Sequence, residues 1–529
     1  MTDFFSQTST SNGAAPVRGA VSQQLVDRII EGVAGSGPAV VSTAPFTGEP
    51  LARLPQCTVD DVDAAFQRAR QAQKEWAAWP AKKRSKVFFT LYDMIVERQD
   101  EILDIIQLET GKSRLHAFEE LLDGAGSTLY YARHAPKLLS TKRRAGALPV
   151  FTQARESYQP KGVVCTITPW NYPLALGLDV VPAMLAGNAV VHKPDNETAL
   201  SSLWPRMQAI EAGLPAEVWQ VVLGDPSEIG DSLIDNADFV GFTGSTPAGK
   251  AIAQRAAATL TGCSLELGGK NPMLVLRDAD IKRTVDAAIR GCFANAGQLC
   301  VSIERIYVDE TIYDQFVTEF GQKVREIELS SSMEFTGAIG SLSSQNQLNR
   351  VRERVEQAVA AGAKVVAGGR ARPDLGPFFF EPTVLVDVPP SARVYAEETF
   401  GPVVTVAPFS SEEEAVRLAN DTSYGLNAAV FSKRVRRARG IASNIKAGTV
   451  NINEGYASAY ASQDAPMGGM KQSGLGRRHG SSGLLKYTDQ QNVASQHVVG
   501  FDPAYGLSPK QHAAFLTRCM KLMKAARIR

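Results

Sequence analysis

Charge of one sign is the first thing this chain lacks. Lys and Arg total 56, Asp and Glu 55, and the formal net charge is +1. That balance makes no electrostatic case for nucleic acid as a partner. Cysteine is scarce. Cys57, Cys165, Cys263, Cys292, Cys300 and Cys519 stand scattered, with no C-x-x-C pair and no histidine pair nearby. The pattern argues against a zinc site and a disulfide framework, so no metal is expected. It suits a reducing cytoplasm. No apolar run is long enough to span a bilayer. There is no internal repeat, and the one compositionally biased stretch is residues 1–21, rich in Ser, Thr, Gly and Ala. That stretch lacks the basic start and apolar core of a secretory signal and reads as a flexible lead-in.

What is present is an ordinary globular composition, 44% hydrophobic and 21% charged, over 529 residues. Such a length accommodates more than one domain. From Thr58 the pattern is helical: Thr58 can cap, Asp61 completes a capping box, and Val62, Phe66, Ala69 and Trp76 recur at helical spacing. A second amphipathic stretch over 87–108 stops at Gly111. There Glu109-Thr110-Gly111-Lys112 reads as a plain helix end with a glycine and a cation. After Lys161 short apolar runs at 162–167, 189–191, 218–222, 239–242 and 263–265 alternate with helical patterns. That alternation predicts a parallel sheet covered on both faces. A second alternating block opens at 272–276, holds a helix over about 281–295 and strands near 305–308 and 403–406, and ends near 449–453. A boundary is expected between the blocks, at 266–269.

Two short motifs carry the chemistry. Glu266-Leu267-Gly268-Gly269-Lys270-Asn271-Pro272 places a carboxylate at the end of an apolar strand, with two glycines behind it that allow close backbone approach. Gly297-Gln298-Leu299-Cys300 places a thiol after a bend whose backbone N–H groups can converge on an oxyanion. Attack by a thiol and hydrolysis assisted by a carboxylate are the two halves of thioester chemistry. The other five cysteines read as small buried hydrophobes. The turn from Gly241 to Lys250 departs from G-x-G-x-x-G. Placed after a strand and opening a helix, it can still offer N–H groups and a positive dipole end to a pyrophosphate. Thr168-Pro169-Trp170-Asn171-Tyr172-Pro173 and Lys193-Pro194-Asp195-Asn196 each follow a strand, and Glu397–Val403 enters one.

In this order and spacing the motifs resemble those of the NAD(P)-dependent aldehyde dehydrogenase superfamily, over residues 109–476. The subgroup most similar is the succinate-semialdehyde dehydrogenases of the actinobacterial, NADP-using type. The resemblance implies an α/β protein with a Rossmann-type cofactor domain (1–138 and 157–267), an α/β catalytic domain (268–483), a small β oligomerisation arm (139–156 and 484–500) and a basic tail (501–529). It implies Cys300 as nucleophile, Glu266 as the base for the deacylating water, and Asn171 as an oxyanion donor. Cofactor contacts are implied for Thr168, Pro169, Trp170, Asn171, Lys193, Asn196, Gly244, Ser245, Gly249, Leu267, Glu398 and Phe400. Related NAD-preferring proteins often carry Glu where this chain has Asn196. A neutral amide removes the repulsion of a 2′-phosphate, so NADP is the expected cofactor, with NAD accepted as well. A homodimer or homotetramer is implied.

The expected substrate is an aldehyde, with succinic semialdehyde favoured by the subgroup. One departure counts against it: where related proteins place carboxylate-binding arginines, this chain has Asp179 and Ala294. A replacement partner is expected in the loop 455–463, from Ser458, Tyr460, Ser462 or Gln463. Alternatively Tyr456 and Tyr460, with Tyr172, line a pocket for an uncharged aliphatic or aromatic aldehyde. A CoA-acylating or phosphorylating reductase, and a protein that has lost catalysis, are the competing classes; the intact Glu266 and Cys300 argue against both. Residues 510–529 carry six basic residues and no acid. Such a helix can lie on an anionic membrane surface; the favoured alternative is a helix packed on a neighbouring subunit or a solvated tail.

Overall fold

Two sheets, one from each alternating block, organise the chain. In the first the strand order is Gly474–Leu475, Gly262–Glu266, Phe239–Thr243, Val163–Ile167, Ala189–Lys193, Trp219–Val221. Its strands run parallel except Gly474–Leu475, which returns from late in the sequence to pair antiparallel with the end of Gly262–Glu266. Successive side chains face opposite sides of a sheet. Accordingly Val164 and Val190 enter one core with Phe88, Ile106 and Trp204, while Cys165 and Val191 enter another with Val62, Phe66 and Leu265. The computed structural model describes residues 21–147, 152–497, 502–503 and 505–527.

The second sheet has seven strands in the order Lys364–Ala367, Thr383–Val386, Val403–Phe409, Ile303–Asp309, Asn271–Val275, Asn427–Phe431, Thr449–Ile452. Only the edge strand Lys364–Ala367 is antiparallel. Met273 and Ile306 pack into one apolar core, Leu274 and Tyr307 into the other. A third, antiparallel sheet of three strands, Thr488–Gln496, Thr152–Pro160 and Lys142–Arg144, stands apart from both.

The capping box at Thr58 and Asp61 is formed and opens the helix Val59–Ala78. The stretch read as one helix over 87–108 is two, Ala81–Glu97 and Gln99–Thr110, broken at Arg98. The helix expected over 281–295 ends at Phe293. Asn295, Ala296 and Gly297 follow with φ of 51°, 52° and 71°, a left-handed run that no amphipathic pattern announces. The flexible lead-in expected over 1–21 lies outside the described residues except for Val21, as does Arg529 of the tail. Within the described part of the tail lies the helix Pro509–Ala525, capped by Ser508, with Phe515, Met520 and Leu522 exposed. Among the described residues no helix is long and apolar enough to cross a membrane.

Candidate active site

The left-handed run at Asn295–Gly297 sets where Cys300 stands. Asn271, first residue of its strand, donates through Nδ2 to the carbonyls of Cys300 and Ser302, both at 2.7 Å. A Cβ on Gly269 would lie 2.7 Å from the Cys300 carbonyl. The backbone just past Glu266 therefore touches the peptide of the thiol. That contact brings the two sequence motifs to one place, and only glycine permits it.

Glu266 ends its strand and pairs with Gly474 across the sheet edge. Its Oε1 is buried without a hydrogen-bond partner. Burial pushes the Glu266 carboxyl up to about 7; Lys486 and Arg478 oppose the shift and Asp179 adds to it. Burial likewise pushes the Cys300 thiol up to about 12, opposed by Arg478 and reinforced by Glu266 and Glu398. The resting nucleophile is a protonated thiol, so its attack needs a base.

Asn171 is buried, and its Nδ2 donates to the carbonyl of Gln298 at 3.0 Å, which spends one of its two amide N–H bonds. Its own carbonyl accepts from Lys112 Nζ at 2.8 Å and from Asn295 Nδ2 at 3.2 Å. Lys112 is fully buried and ion-paired with Glu120. Glu120 in turn accepts from the N–H groups of Leu174 and Ala175. The segment read as a plain helix end is thus a scaffold for the site. Gly111 does terminate the helix, with φ 71°. Glu109, however, caps the helix Ala199–Glu211 through Leu200 N, Ser201 N and Ser201 Oγ.

One cavity joins Cys300, Glu266 and Asn171 to Pro169, Trp170, Gly244, Ser245, Leu267, Glu398 and Phe400. Phe400 is held at φ 57°, and its ring meets Trp170 edge-on at 5.5 Å. Glu398 Oε1 accepts from Gly269 N at 2.8 Å. Burial, reinforced by Glu304, raises the Glu398 carboxyl to about 7. At the Gly-rich turn Ser245 caps the helix Thr246–Ala257. A Cβ on Gly249 would strike Leu267 at 2.5 Å, which explains that glycine by close packing. Gly244's own N–H is spent on the Glu266 carbonyl, so phosphate contact at this turn falls to later N–H groups. Thr168 does not line the cavity; its hydroxyl bonds His192 Nε2 at 2.8 Å.

Lys193 closes its strand and is buried, and among the described residues its Nζ bonds only the Pro194 carbonyl, at 3.3 Å. Burial lowers its pKa, and Asp195 and Asp225 oppose the shift. Asn196 Nδ2 donates to Gln56 Oε1 at 3.0 Å, and its Oδ1 is buried and unpartnered. Two neighbours escaped the sequence reading: Gln56, which lies far off in the chain, and Glu197, whose carboxyl burial raises to about 7.

Cys300 packs against an apolar cluster of Tyr172, Leu176, Ala294, Leu299, Val301, Leu426, Tyr456 and Met467, with Tyr460 packed on it. Tyr460 stands at 6.5 Å from Tyr172 and 6.3 Å from Tyr456, ring to ring. Of the four residues of the loop 455–463 expected to meet a carboxylate, Tyr460 packs beside the cluster with Asp123 near its hydroxyl, and the other three are engaged or exposed. Gln463 Nε2 is spent on Asp123 at 2.7 Å, Ser462 Oγ on the Ser458 carbonyl at 2.6 Å, and Ser458 is exposed. Met467 and Arg478, to which the sequence reading gave no part in the site, both line the cavity. The consecutive arginines Arg477-Arg478 were the signal available for the latter.

A thiol and a carboxylate in a cleft beside a parallel sheet with a Gly-rich turn define a class: enzymes that carry substrate on cysteine next to a Rossmann-type fold. The aldehyde dehydrogenase family profile matches residues 33–493, and the chain belongs to that family. A protein of Mycolicibacterium smegmatis, provisionally named an NADP-dependent succinate-semialdehyde dehydrogenase, is 48% identical over 88% of this chain and 90% of its own length. A 3-sulfolactaldehyde dehydrogenase of Pseudomonas putida is 36% identical over 87% of this chain and 94% of its own. Among solved structures, betaine aldehyde dehydrogenase of Staphylococcus aureus with NAD+ superposes with TM-score 0.85 at 33% identity, covering 90% of this chain and 96% of that one.

Proposed function

We propose that the chain is an NADP-dependent succinate-semialdehyde dehydrogenase, releasing succinate through a thioester on Cys300. The observation that carries the reading is the contact at Gly269, which sets the carboxylate motif against the thiol's own peptide. Cys300 gives up its proton to water, and the resulting thiolate adds to the aldehyde carbon. The second amide N–H of Asn171 and the Cys300 N–H hold the resulting oxyanion. Glu266 then takes a proton from water, and the thioester is hydrolysed to the acid. A carboxyl near 7 is balanced for that work, because it is both available as base and strong enough to act at neutral pH.

The residues present suit a nicotinamide dinucleotide. Lys193 is a buried cation with no ion-pair partner among the described residues, Asn196 leaves an orphaned acceptor, and the cavity runs unbroken from Ser245 past Phe400 to Cys300. When bound, the nicotinamide supplies the acceptor for the hydride leaving the substrate carbon. Trp170 and Phe400 wall that end, Glu398 stands at its ribose, and Lys193 offers charge to a 2′-phosphate. The NADP-type name of the mycobacterial relatives supports the same choice. Further parts of the proposal are the division into a cofactor domain, a catalytic domain and an arm, and assembly of the arm's sheet between copies in a reducing cytoplasm.

The tyrosine cluster favours a second reading, an enzyme of broad range for uncharged aldehydes. Initial rates with succinic semialdehyde and butanal, each with NAD and NADP, separate the two. A higher kcat/KM for succinic semialdehyde is expected. A preference for butanal would transfer the assignment to the broad-range enzyme, and turnover that requires CoA would transfer it to an acylating reductase.

A further inference from the structure

A carboxylate carried into a water-poor cavity needs a cation or several donors, because its desolvation is otherwise uncompensated. Among the residues lining the cavity the cations are Arg350 and Arg478. Arg350 donates to the Glu398 carbonyl at 2.9 Å, at the end walled by Phe400. Arg478 lies on the side of Glu266 and Met467. Its backbone is fixed by a reciprocal pair of hydrogen bonds with Met467, at 2.7 and 2.9 Å. Its guanidinium is only 8% exposed. One arm donates to Asp179 Oδ1 at 2.8 Å, and Asp123 stands off at 3.9 Å. Nε is buried with no partner at all.

A guanidinium carries five N–H bonds in a rigid fork that matches a carboxylate. Among the described residues one of them is spent, on Asp179, and Nε has no hydrogen-bond partner. A buried cation with most of its donors unspent, opening on the cavity of the nucleophile, is half of a recognition site. Arg477 next to it does not compete for the part: its Nη1 is taken by the carbonyls of Gly469 and Gly476. Arg290 does not line the cavity; it is half exposed and engaged with Glu119.

We propose that Arg478 is the specificity-determining residue for an aldehyde with a carboxylate at its far end, with Asp179 holding one corner of the guanidinium so that the rest faces the substrate. The position that lacks an arginine, Asp179, thereby becomes the support of an arginine that arrives from elsewhere in the chain. This assignment rests on the succinic semialdehyde reading above and names the residue that would enforce it.

The test compares succinic semialdehyde with its methyl ester, which has the same aldehyde and chain but no charge. The ratio of their kcat/KM values is measured for the wild type, Arg478→Lys, Arg478→Met and Arg290→Gln, with melting temperature and NADP binding recorded for each. The wild type should favour the acid by roughly 10- to 100-fold, the range of a charge-assisted contact. Arg478→Lys, which keeps a cation beside Asp179 and so guards against misfolding, should lose most of that preference through a raised KM for the acid. Arg478→Met should bring the ratio close to one, and Arg290→Gln should keep it. A wild-type ratio near one sinks the carboxylate reading itself. A wild-type preference that survives in both Arg478 variants leaves that reading standing and removes Arg478 from it. Equal losses for acid and ester at constant ratio would do the same, assigning Arg478 to the support of Glu266.

Discussion

At the residue scale the proposed chemistry separates into steps that single substitutions can isolate. Cys300→Ala should reduce oxidation by on the order of 10⁴-fold or more while NADP still binds by fluorescence titration, because only the covalent step is lost. Near wild-type turnover in that variant would remove Cys300 from its role. Glu266→Gln should give a pre-steady-state burst of NADPH and then stall. With a carboxyl near 7, the hydrolysis step in the wild type should climb about tenfold per pH unit below that value and level off above it. The same shift has a stability counterpart. A carboxyl whose folded pKa lies above its unfolded one stabilises at low pH, and that contribution is lost as pH rises through about 7. Glu266→Gln should therefore gain on the wild type in melting temperature between pH 5 and 8; an unchanged difference across that range would show that Glu266 titrates normally. Asn196→Glu should shift the kcat/KM ratio toward NAD. Two acceptors would then face each other at Gln56 Oε1, so Gln56 must turn from the carbonyls of Leu54 and Pro55. A wild type already strongly selective for NAD would contradict the reading of this position. Cys300 and Glu266 were legible because each sits beside glycines, which stand out in a sequence even where the chain they make room for is distant, as at Gly269 against Cys300. Arg478 was not, because its surroundings come from Asp179, Asp123 and Met467, three separate stretches of chain.

At the scale of elements, strand–helix alternation marked both parallel sheets, since buried strands are apolar throughout. The strands Thr383–Val386 and Asn427–Phe431 escaped notice, because periodicity alone does not tell a short apolar run from a buried helix segment. More telling is the helix end at Thr110. Glycine and lysine there match an ordinary terminus, and only the fold shows Lys112 running beneath Asn171. Lys112→Met should leave Glu120 buried without its cation, costing about 3–5 kcal/mol. The loop carrying Asn171 should loosen with it, so kcat should fall along with thermal stability. Retention of both would mean that Glu120's bonds to Leu174 and Ala175 hold the loop unaided.

At the scale of the whole molecule the three-stranded sheet stands outside both layered bodies. Among the described residues Thr488–Gln496 is exposed along nearly all its length and is an edge strand, paired with Thr152–Pro160. A free edge of that kind invites another strand. Light scattering should therefore find a dimer or tetramer; a monomer at micromolar concentration would count against the proposed arm. The short strand Gly474–Leu475 bears on how the protein is made. The edge on which Glu266 ends is completed by residues that leave the ribosome only after almost all of the second sheet has been synthesised. At about 5–20 residues per second that is a delay on the order of tens of seconds. During it the first sheet can collapse on its own helices, but with an open edge at the very residue that would activate water. A chain ended before residue 474 would carry Glu266 on an unpaired strand end, so the setting of the base depends on residues made about 200 positions after it.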